Sequence, residues 1–408
     1  MQPMSGMRVV EVAAWTFVPS AGAVLADWGA DVIKVEHPTT GDPQRALRLG
    51  LPREGLPVIN HLMEQANRGK RSIGLDIRTE DGRELLLQLI DRADVFLTNL
   101  LPDSLERARL TPADLQARNP RCVYARGTGW GLHGPWALKG GFDVAAYWSR
   151  AGIATMLTPR RKKGERPSLP TIQRPAFGDV MGGMTIAGGI AAALMHRERT
   201  GEATTVDVNL LGVGAWQLSV DIVHAGLVGD EGLPSLQPDE MPNPLVLAYE
   251  TSDNRFVWFV LLQADRHWHE LCDAIERPDL RDDPRFVDAT ARMHNRLDCI
   301  AALRDVFYEH PLEHWMRRLD AMEGVWAPVQ TPEEVHSDPQ VAANGILQPV
   351  EAAEGGTFSL VANPVQFGEQ PQGLRRAPTH GEQTEEICLE LGLDWDRIIA
   401  LKESGTLL

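Results

Sequence analysis

The sequence predicts an α/β fold: a large domain built on a parallel sheet, with a smaller α+β domain inserted in it. Three observations carry this expectation. Strand-like and helix-like segments alternate through the N-terminal half, the texture changes near residue 205, and a mixed pattern resumes towards the C-terminus. A chain of 408 residues is also too long for one ordinary core, which favours two domains.

The elements follow in order. "RVVEVA" (8–13) is a short β-branched run, and Pro19 and Ser20 are placed to open a helix over "SAGAVLADWGA". "DVIKVE" (31–36) is the next strand. "RSIGLDI" (71–77) precedes a helix over 80–94, where Leu85, Leu86, Leu89 and Ile90 share one face. "VFLTN" (95–99) and "RCVYARG" (121–127) read as further strands. Strand–helix–strand units of this length call for a parallel sheet covered by helices.

Beyond 205, "ATTVDVNLLGVGAWQLSVDIVHAGLV" reads as a strand running into a long helix. "LVLAYETSDNRFVWFVLLQ" (245–263) reads as two antiparallel strands around an "SDN" turn. Residues 266–325 are largely helical, and "WAPVQTPEEV" (326–335) is a proline-rich connection. The expected domains are 1–205, 206–330, and a segment 331–408 that returns to the first.

Acidic residues exceed basic ones, 56 to 40, which disfavours a nucleic-acid partner because such binding needs a basic footprint. Cys122, Cys272, Cys299 and Cys388 lie far apart with no C-x-x-C pair, so a reduced, cytoplasmic protein is expected. The start "MQPMSGMRVVEVAAW" has no basic region followed by a sustained apolar one, so no signal peptide is read. The longest apolar run, Val180 to Met195, falls short of the roughly 18 residues of a membrane span, and no membrane is expected.

Four stretches are candidates for chemistry. His267, His269 and Cys272 sit close together, but no second cluster matches them, and no metal is assigned. "GTGWGLHG" (127–134) follows a strand, yet Trp130, Pro135 and the lack of a following helix point to a turn-rich loop rather than a dinucleotide fingerprint. "PRRKKGERP" (159–167) is a dense basic run, either a solvated loop or a contact for a phosphate-bearing ligand. Asp179, in "FGDVMGGM" (177–184), opens a long small-residue helix. As an N-cap it would accept a backbone N–H. As a nucleophile it would be kept ionised by the helix N-terminus, and Gly178, Gly182 and Gly183 would let a substrate or another backbone approach closely. Local physics leaves both readings open.

Several segments together resemble the class III CoA-transferases, which include carnitine, bile-acid and formyl-CoA transferases and the α-methylacyl-CoA racemases. They are "VPSAGAVLADWGADVIKVEHPTTGDPQR" (18–45), residues 67–107, "GTGWGLHGPWALKGGFD" (127–143), "FGDVMGGM" and "GVWAPVQTPEEVHSDPQVAANGI" (324–346). The resemblance implies a Rossmann-like large domain made from both chain ends, a small domain between them, and an interlocked homodimer. It places the family's catalytic aspartate on Asp179, which would attack an acyl-CoA and pass through an anhydride and an aspartyl-CoA thioester before a carboxylic acid takes the CoA. It implies coenzyme A as the bound substrate group, contacted by His37, Leu75, Arg78, Asn99, Arg107 and Lys139. Arginine and lysine suit its phosphates, and leucine suits its adenine.

Departures from the family pattern choose among its branches. Racemases have a histidine where Phe142 stands, so the proton-shuttling pair is missing, and their acidic partner aligns loosely with Gln263. Formyl-CoA transferases have a glutamine where Thr16 stands and a glycine-rich loop that "MPNPLVLAYE" does not supply. His37 replaces a frequent arginine. CoA transfer to a free carboxylic acid is therefore the expectation. Racemisation, and CoA-thioester binding without catalysis, are the alternatives.

Overall fold

In the computed structural model of the chain, the described residues are 2–47, 59–158, 168–229, 233, 237–371 and 373–408. The basic run 159–167 lies outside them. The chain forms two units, one of residues 1–223 with 339–408 and one of 224–338.

The first unit is built on six parallel strands in the order β3-β2-β1-β4-β5-β6. They are β1 (Arg8–Val12), β2 (Asp31–Glu36), β3 (Arg71–Gly74), β4 (Val95–Thr98), β5 (Val123–Thr128) and β6 (Thr205–Asn209). The connecting helices are α1 (Phe17–Asp27), α2 (His61–Asn67), α3 (Glu80–Asp91), α4 (Pro102–Ala108), α5 (Pro112–Arg118), α6 (Ile153–Met156) and α7 (Phe177–Thr200). This order reverses direction between β1 and β4, the Rossmann-type switch point.

Alternation of side chains along each strand feeds two cores. Val9, Val95, Leu97, Val123 and Ala125 pack towards α1 and α7. Val10, Val12, Phe96 and Tyr124 pack towards α3 and the helices Thr384–Leu391 and Trp395–Glu403. Those C-terminal helices are pinned to the sheet edge: Leu408 N–H donates to Gly74 O at 3.1 Å, and Gln383 N–H to Ser72 O at 2.9 Å.

Local chemistry accounts for where the elements differ from expectation. α1 begins at Phe17, two residues before Pro19, because proline in the first turn lacks only an N–H that is unpaired there anyway. β6 pairs with β5 through Asn209, so residues 206–223 stay with the first unit rather than opening the second. The long helix expected after it is two helices, Leu210–Gln217 and Ser219–Val228. α7 is long and apolar enough to span a bilayer by composition. Ile186, Ala187, Ile190, Ala193 and Leu194 on it are nonetheless buried in the core shared with α1 and the sheet.

Beneath the α1 side of the sheet lies a cluster of buried charges. Lys34 Nζ reaches Glu11 Oε1 at 3.3 Å and Asp42 Oδ2 at 2.8 Å, and Lys70 Nζ reaches Glu11 Oε2 at 2.7 Å. Burial works against the Lys34 charge, but the carboxylates of Glu11, Asp42 and Glu36 outweigh it and hold its pKa above the usual value. Burial pulls Lys70 down to about 7 against the opposing pull of Glu11. Removing one partner from such a cluster strands a buried charge, a loss of about 3–5 kcal/mol.

The second unit has its own core. β7 (Ala248–Glu250) and β8 (Phe256–Phe259) form the expected antiparallel pair, turning through Asn254 at φ +57°. β9 (Trp326–Pro328), inside the stretch read as a connection, adds a third strand at the edge, where proline is tolerated. Helices Ala264–Ala274, Arg296–Phe307 and Leu312–Leu319 cover the sheet through Trp268, Leu271, Phe307 and Trp315. In the remaining part of the first unit, β10 (Leu347–Glu351) and β11 (Thr357–Val361) form a separate hairpin. The four cysteines are free and buried.

Candidate active site

In a parallel sheet each crossover helix runs back against its strands, so helix N-termini gather at the strands' C-terminal edge. The loops after β1 to β6 and the first turns of α1, α4 and α7 meet at this edge. Two cavities lie along it.

The larger, about 630 Å³, follows the ends of β3, β2, β1 and β4 and is lined by Ala13, His37, Leu75, Arg78, Arg83 and Arg107, among others. Its size is that of a pocket for a sizeable small molecule. The acids at its base are committed internally. Glu36 accepts from Arg45 Nε at 2.7 Å and from Ser72 Oγ at 2.7 Å; burial would raise its pKa, but Arg45 and Lys34 outweigh that and hold it down at about 2. Asp42 is taken up by Lys34 and by the N–H groups of Trp15 (3.1 Å) and Gln44 (2.9 Å). The guanidinium groups of Arg78, Arg83 and Arg107 therefore set the local sign, which suits an anionic ligand in spite of the net acidity of the chain.

The predicted contact residues take up distinct positions here. Leu75 is buried just past β3, bridging to Leu407. Arg78 is exposed and donates to Asp76 Oδ2 at 2.7 Å; that contact, ahead of the opposing effect of burial, holds the Asp76 carboxyl down at about 2. His37 Nδ1 accepts the amides of Thr39 and Thr40, and its Nε2 lies beside Arg78 and 3.6 Å from Asp76. Arg107 donates to Ser104 Oγ at 3.1 Å.

The smaller cavity, about 190 Å³, follows the ends of β4, β5 and β6 and contains Asp179, Asn99, Lys139, Trp15, Phe142 and Leu210. Leu100 lines both cavities. The walls are largely apolar, and Trp15 and Phe142 meet edge to face at 5.6 Å. Trp15 is held at φ +68°, a conformation costly for a bulky residue, by its hydrogen bond to Asp42. The buried charge cluster thus fixes the aromatic wall of this cavity. Lys139 Nζ rests 4.4 Å from the Trp136 ring centroid.

Asp179 is the third residue of α7 and does not cap it. The N-cap is Ala176, which has no side-chain acceptor. Asp143, seven per cent exposed, accepts the N–H of Gly178 at 3.4 Å, together with Gln173 Nε2 at 2.9 Å. Among the described residues nothing donates a hydrogen bond to the Asp179 carboxylate. Burial, and then the charge of Asp143, push its pKa up to about 8. Desolvation and a like charge thus act against the helix N-terminus, which favours the ionised form.

Of the two uses expected of the glycines, close approach of another part of the chain is the one seen: Cβ atoms at Gly178, Gly182 and Gly183 would run into Tyr147, Phe17 and Ser20. Of the residues weighed for branch chemistry, Thr16 is buried and donates to Gln44 Oε1 at 2.7 Å, and Gln263 lines a cavity of the second unit. His267 Nδ1 sits 3.0 Å from Glu270, and Cys272 is buried in the core. Sequence reasoning passed over Asp143 and Gln173. The only signal was an aspartate after a glycine pair in "GGFD".

Comparison with known proteins gives a consistent result. The family model described as CoA-transferase family III matches residues 4–384. The cinnamoyl-CoA:phenyllactate CoA-transferase of Clostridium sporogenes is 30% identical over 98% of this chain and 96% of its own length. The (R)-2-hydroxy-4-methylpentanoate CoA-transferase of Clostridioides difficile is 27% identical over 98% of both chains. A crystal structure of a CAIB/BAIF family protein from Brucella suis superposes with a TM-score of 0.79 at 27% identity, covering 96% of this chain and 99% of that one.

Proposed function

The chain belongs to CoA-transferase family III, and from that premise we propose that it moves coenzyme A from an acyl-CoA to a free carboxylic acid through covalent intermediates on Asp179. The observation that carries this reading is the placement of the Asp179 carboxylate in a cavity that shares Leu100 with a second one rimmed by three arginines. The larger cavity takes the nucleotide end of CoA, with Arg78 and Arg107 on its phosphates and Leu75 against adenine. Asn99 and Lys139 stand beside the thioester end.

The chemistry balances with one carboxylate. Ionised Asp179 attacks the thioester carbonyl and expels the CoA thiolate, leaving a mixed anhydride. The thiolate attacks the aspartyl carbonyl, the donor acid leaves, and an aspartyl-CoA thioester remains. The acceptor carboxylate repeats the two steps in reverse and departs as the new acyl-CoA, which restores Asp179. Apolar walls suit this sequence because an anhydride must be kept from water.

The acceptor in this reading is an apolar monocarboxylic acid. Among the described residues Lys139 is the one cation lining the small cavity, so once it faces the reacting carboxylate a second carboxylate finds no further counter-charge there. Phe142 in that wall supplies no imidazole for α-proton exchange, which weighs against the racemase alternative. We further propose a homodimer in a reducing compartment. Support comes from Trp216 and Val220, 81% and 80% exposed, which leave apolar surface to be covered, and from the four free thiols.

Incubation with an acyl-CoA, trapping with hydroxylamine or borohydride, and peptide mass spectrometry test the mechanism. Modification is expected on Asp179 and nowhere else. An unmodified Asp179, with Asp179→Ala transferring CoA as fast as wild type, sinks it.

A further inference from the structure

The reading that Asp179 is the reacting group leaves unexplained how a carboxylate in the first turn of a helix stays off that helix's own N–H groups. Aspartate near a helix start ordinarily spends its oxygens on them. Here the competition has been removed by another residue. Asp143 precedes the π-helical segment Val144–Arg150 and is buried against the start of α7. It accepts from the N–H group at the second position of α7, Gly178, at 3.4 Å, one of the donors a capping side chain normally serves. Its other partners are Val144 N–H at 2.7 Å and Gln173 Nε2 at 2.9 Å.

We propose that Asp143 is a positioning residue for CoA transfer: its carboxylate caps α7 in place of Asp179 and leaves the Asp179 carboxylate uncapped in the cavity. This rests on the assignment of Asp179 as nucleophile, and assigns a second acid to the same reaction.

Three features of the surroundings support it. Asp143 accepts from Val144 N–H, Gly178 N–H and Gln173 Nε2, donors that favour its ionised form against the burial that raises its pKa, whereas the Asp179 side chain accepts nothing from the described residues. Gln173 is buried with its Oε1 unpartnered, so its amide is turned to give Asp143 a donor at the expense of its own acceptor. Ala176 at φ +62° occupies the N-cap and can cap nothing itself.

Two neighbouring carboxylates do not share charge equally. With Asp143 ionised, the proton in the resting site belongs to Asp179, and the anion formed when it leaves is the more basic of the two. The other titratable groups facing Asp179 are Lys139 across the cavity and Tyr147 on the π-helical segment. α1 presents Phe17 and Ser20, and the end of β5 presents Gly127 and Thr128, none of which titrates. Arg126 and Asp207 on β5 and β6 are paired with each other.

The test compares wild type, Asp143→Asn, Asp143→Glu and Gln173→Leu by steady-state rates against pH and by trapping on Asp179. Asp143→Asn is expected to lower kcat by roughly a hundredfold with KM for acyl-CoA little changed, since it misplaces the reacting group without touching CoA. Its acid limb is expected to move down from about 8 by at least about one unit, as the neighbouring charge is gone. Asp143→Glu restores the limb towards wild type. Gln173→Leu, which keeps the charge and loosens its hold, lowers kcat less and leaves the limb in place. Should Asp143→Asn fail to fold, the Glu and Leu variants carry the test, and a limb displaced in Gln173→Leu but not in Asp143→Glu overturns the proposal. Wild-type trapping on Asp179 with an unmoved limb and unchanged kcat in Asp143→Asn overturns it while leaving the nucleophile intact. Absence of any adduct on wild-type Asp179 removes the parent reading, and this one with it.

Discussion

Asn99 and Ala14 hold each other through two hydrogen bonds: Asn99 Nδ2 donates to Ala14 O at 2.7 Å, and Ala14 N–H donates to Asn99 Oδ1 at 3.1 Å. The pair joins the loops after β4 and β1 across the switch point of the sheet. Asn99 is thus engaged with the chain on both polar atoms, whatever it offers a ligand. Asn99→Ala is expected to cost about 1–3 kcal/mol by leaving the Ala14 groups unpaired, read by urea unfolding. It should also raise KM for acyl-CoA, because Trp15 and Leu100 follow these two loops. An unchanged unfolding midpoint with altered kinetics would instead point to a direct ligand contact.

How much of this could be read from the chain differs by element. β2 was legible to the residue, since "DVIKVE" is a β-branched run flanked by turn residues and buried from Val32 to Glu36. β9 was not, since three residues including Pro328 carry no periodicity and gain strand character only from β8. The seven proposed site residues were named by resemblance, but their division between two cavities is a matter of strand order. The cap on α7 was illegible because Asp143 is contiguous with Gly178 only in space.

The raised pKa of Asp179 makes a stability prediction. Below pH 4 both folded and unfolded chains hold its proton. Between the ordinary 3.8 and about 8 only the folded chain does, so stability falls as pH rises across that window. Asp179→Asn removes this loss. The variant should match wild type near pH 4 and exceed it at pH 8, by roughly 1–3 kcal/mol once partial solvent access is allowed for. Denaturant titrations at the two pH values measure this, and a gain independent of pH would contradict the assigned charge state.

Arg78 and Asp76 bear on CoA affinity in opposite directions. Arg78 is paired with Asp76 in the free protein, so a phosphate must compete with that carboxylate. Arg78→Ala should raise KM for acyl-CoA roughly tenfold with kcat unchanged, the mark of binding lost equally from ground and transition states. Asp76→Asn should lower KM or leave it, and should weaken its dependence on salt. Initial rates at two ionic strengths distinguish these outcomes.

Gly183 sets how closely α1 and α7 approach. A Cβ there would stand 2.5 Å from Ser20 Cβ and 2.9 Å from Ala21 N, and backbone atoms cannot rotate away. Gly183→Ala is expected to destabilise by about 1–3 kcal/mol through overpacking, in spite of the better helix propensity of alanine. The same shift moves the start of α7, so kcat should fall as well. Thermal unfolding together with kcat reads both, and an unaltered melting temperature would mean the helices can slide.

Phe142 decides what fits beside Asp179. It stands 59% exposed at the cavity wall, meeting Trp15 edge to face, and it lies next to Asp143 in sequence. Phe142→Ala opens the wall while leaving both carboxylates in place. Acids too bulky for the wild-type cavity should gain kcat/KM relative to short ones by roughly tenfold, the scale on which an apolar pocket discriminates by size. Dicarboxylates should stay poor acceptors in both proteins, because the substitution adds no second cation beside Lys139. A donor-by-acceptor screen of the two proteins measures the change. A wild-type preference for dicarboxylates would refute the apolar-acceptor reading, and deuterium wash-in at the α-carbon without an acceptor acid would restore the racemase.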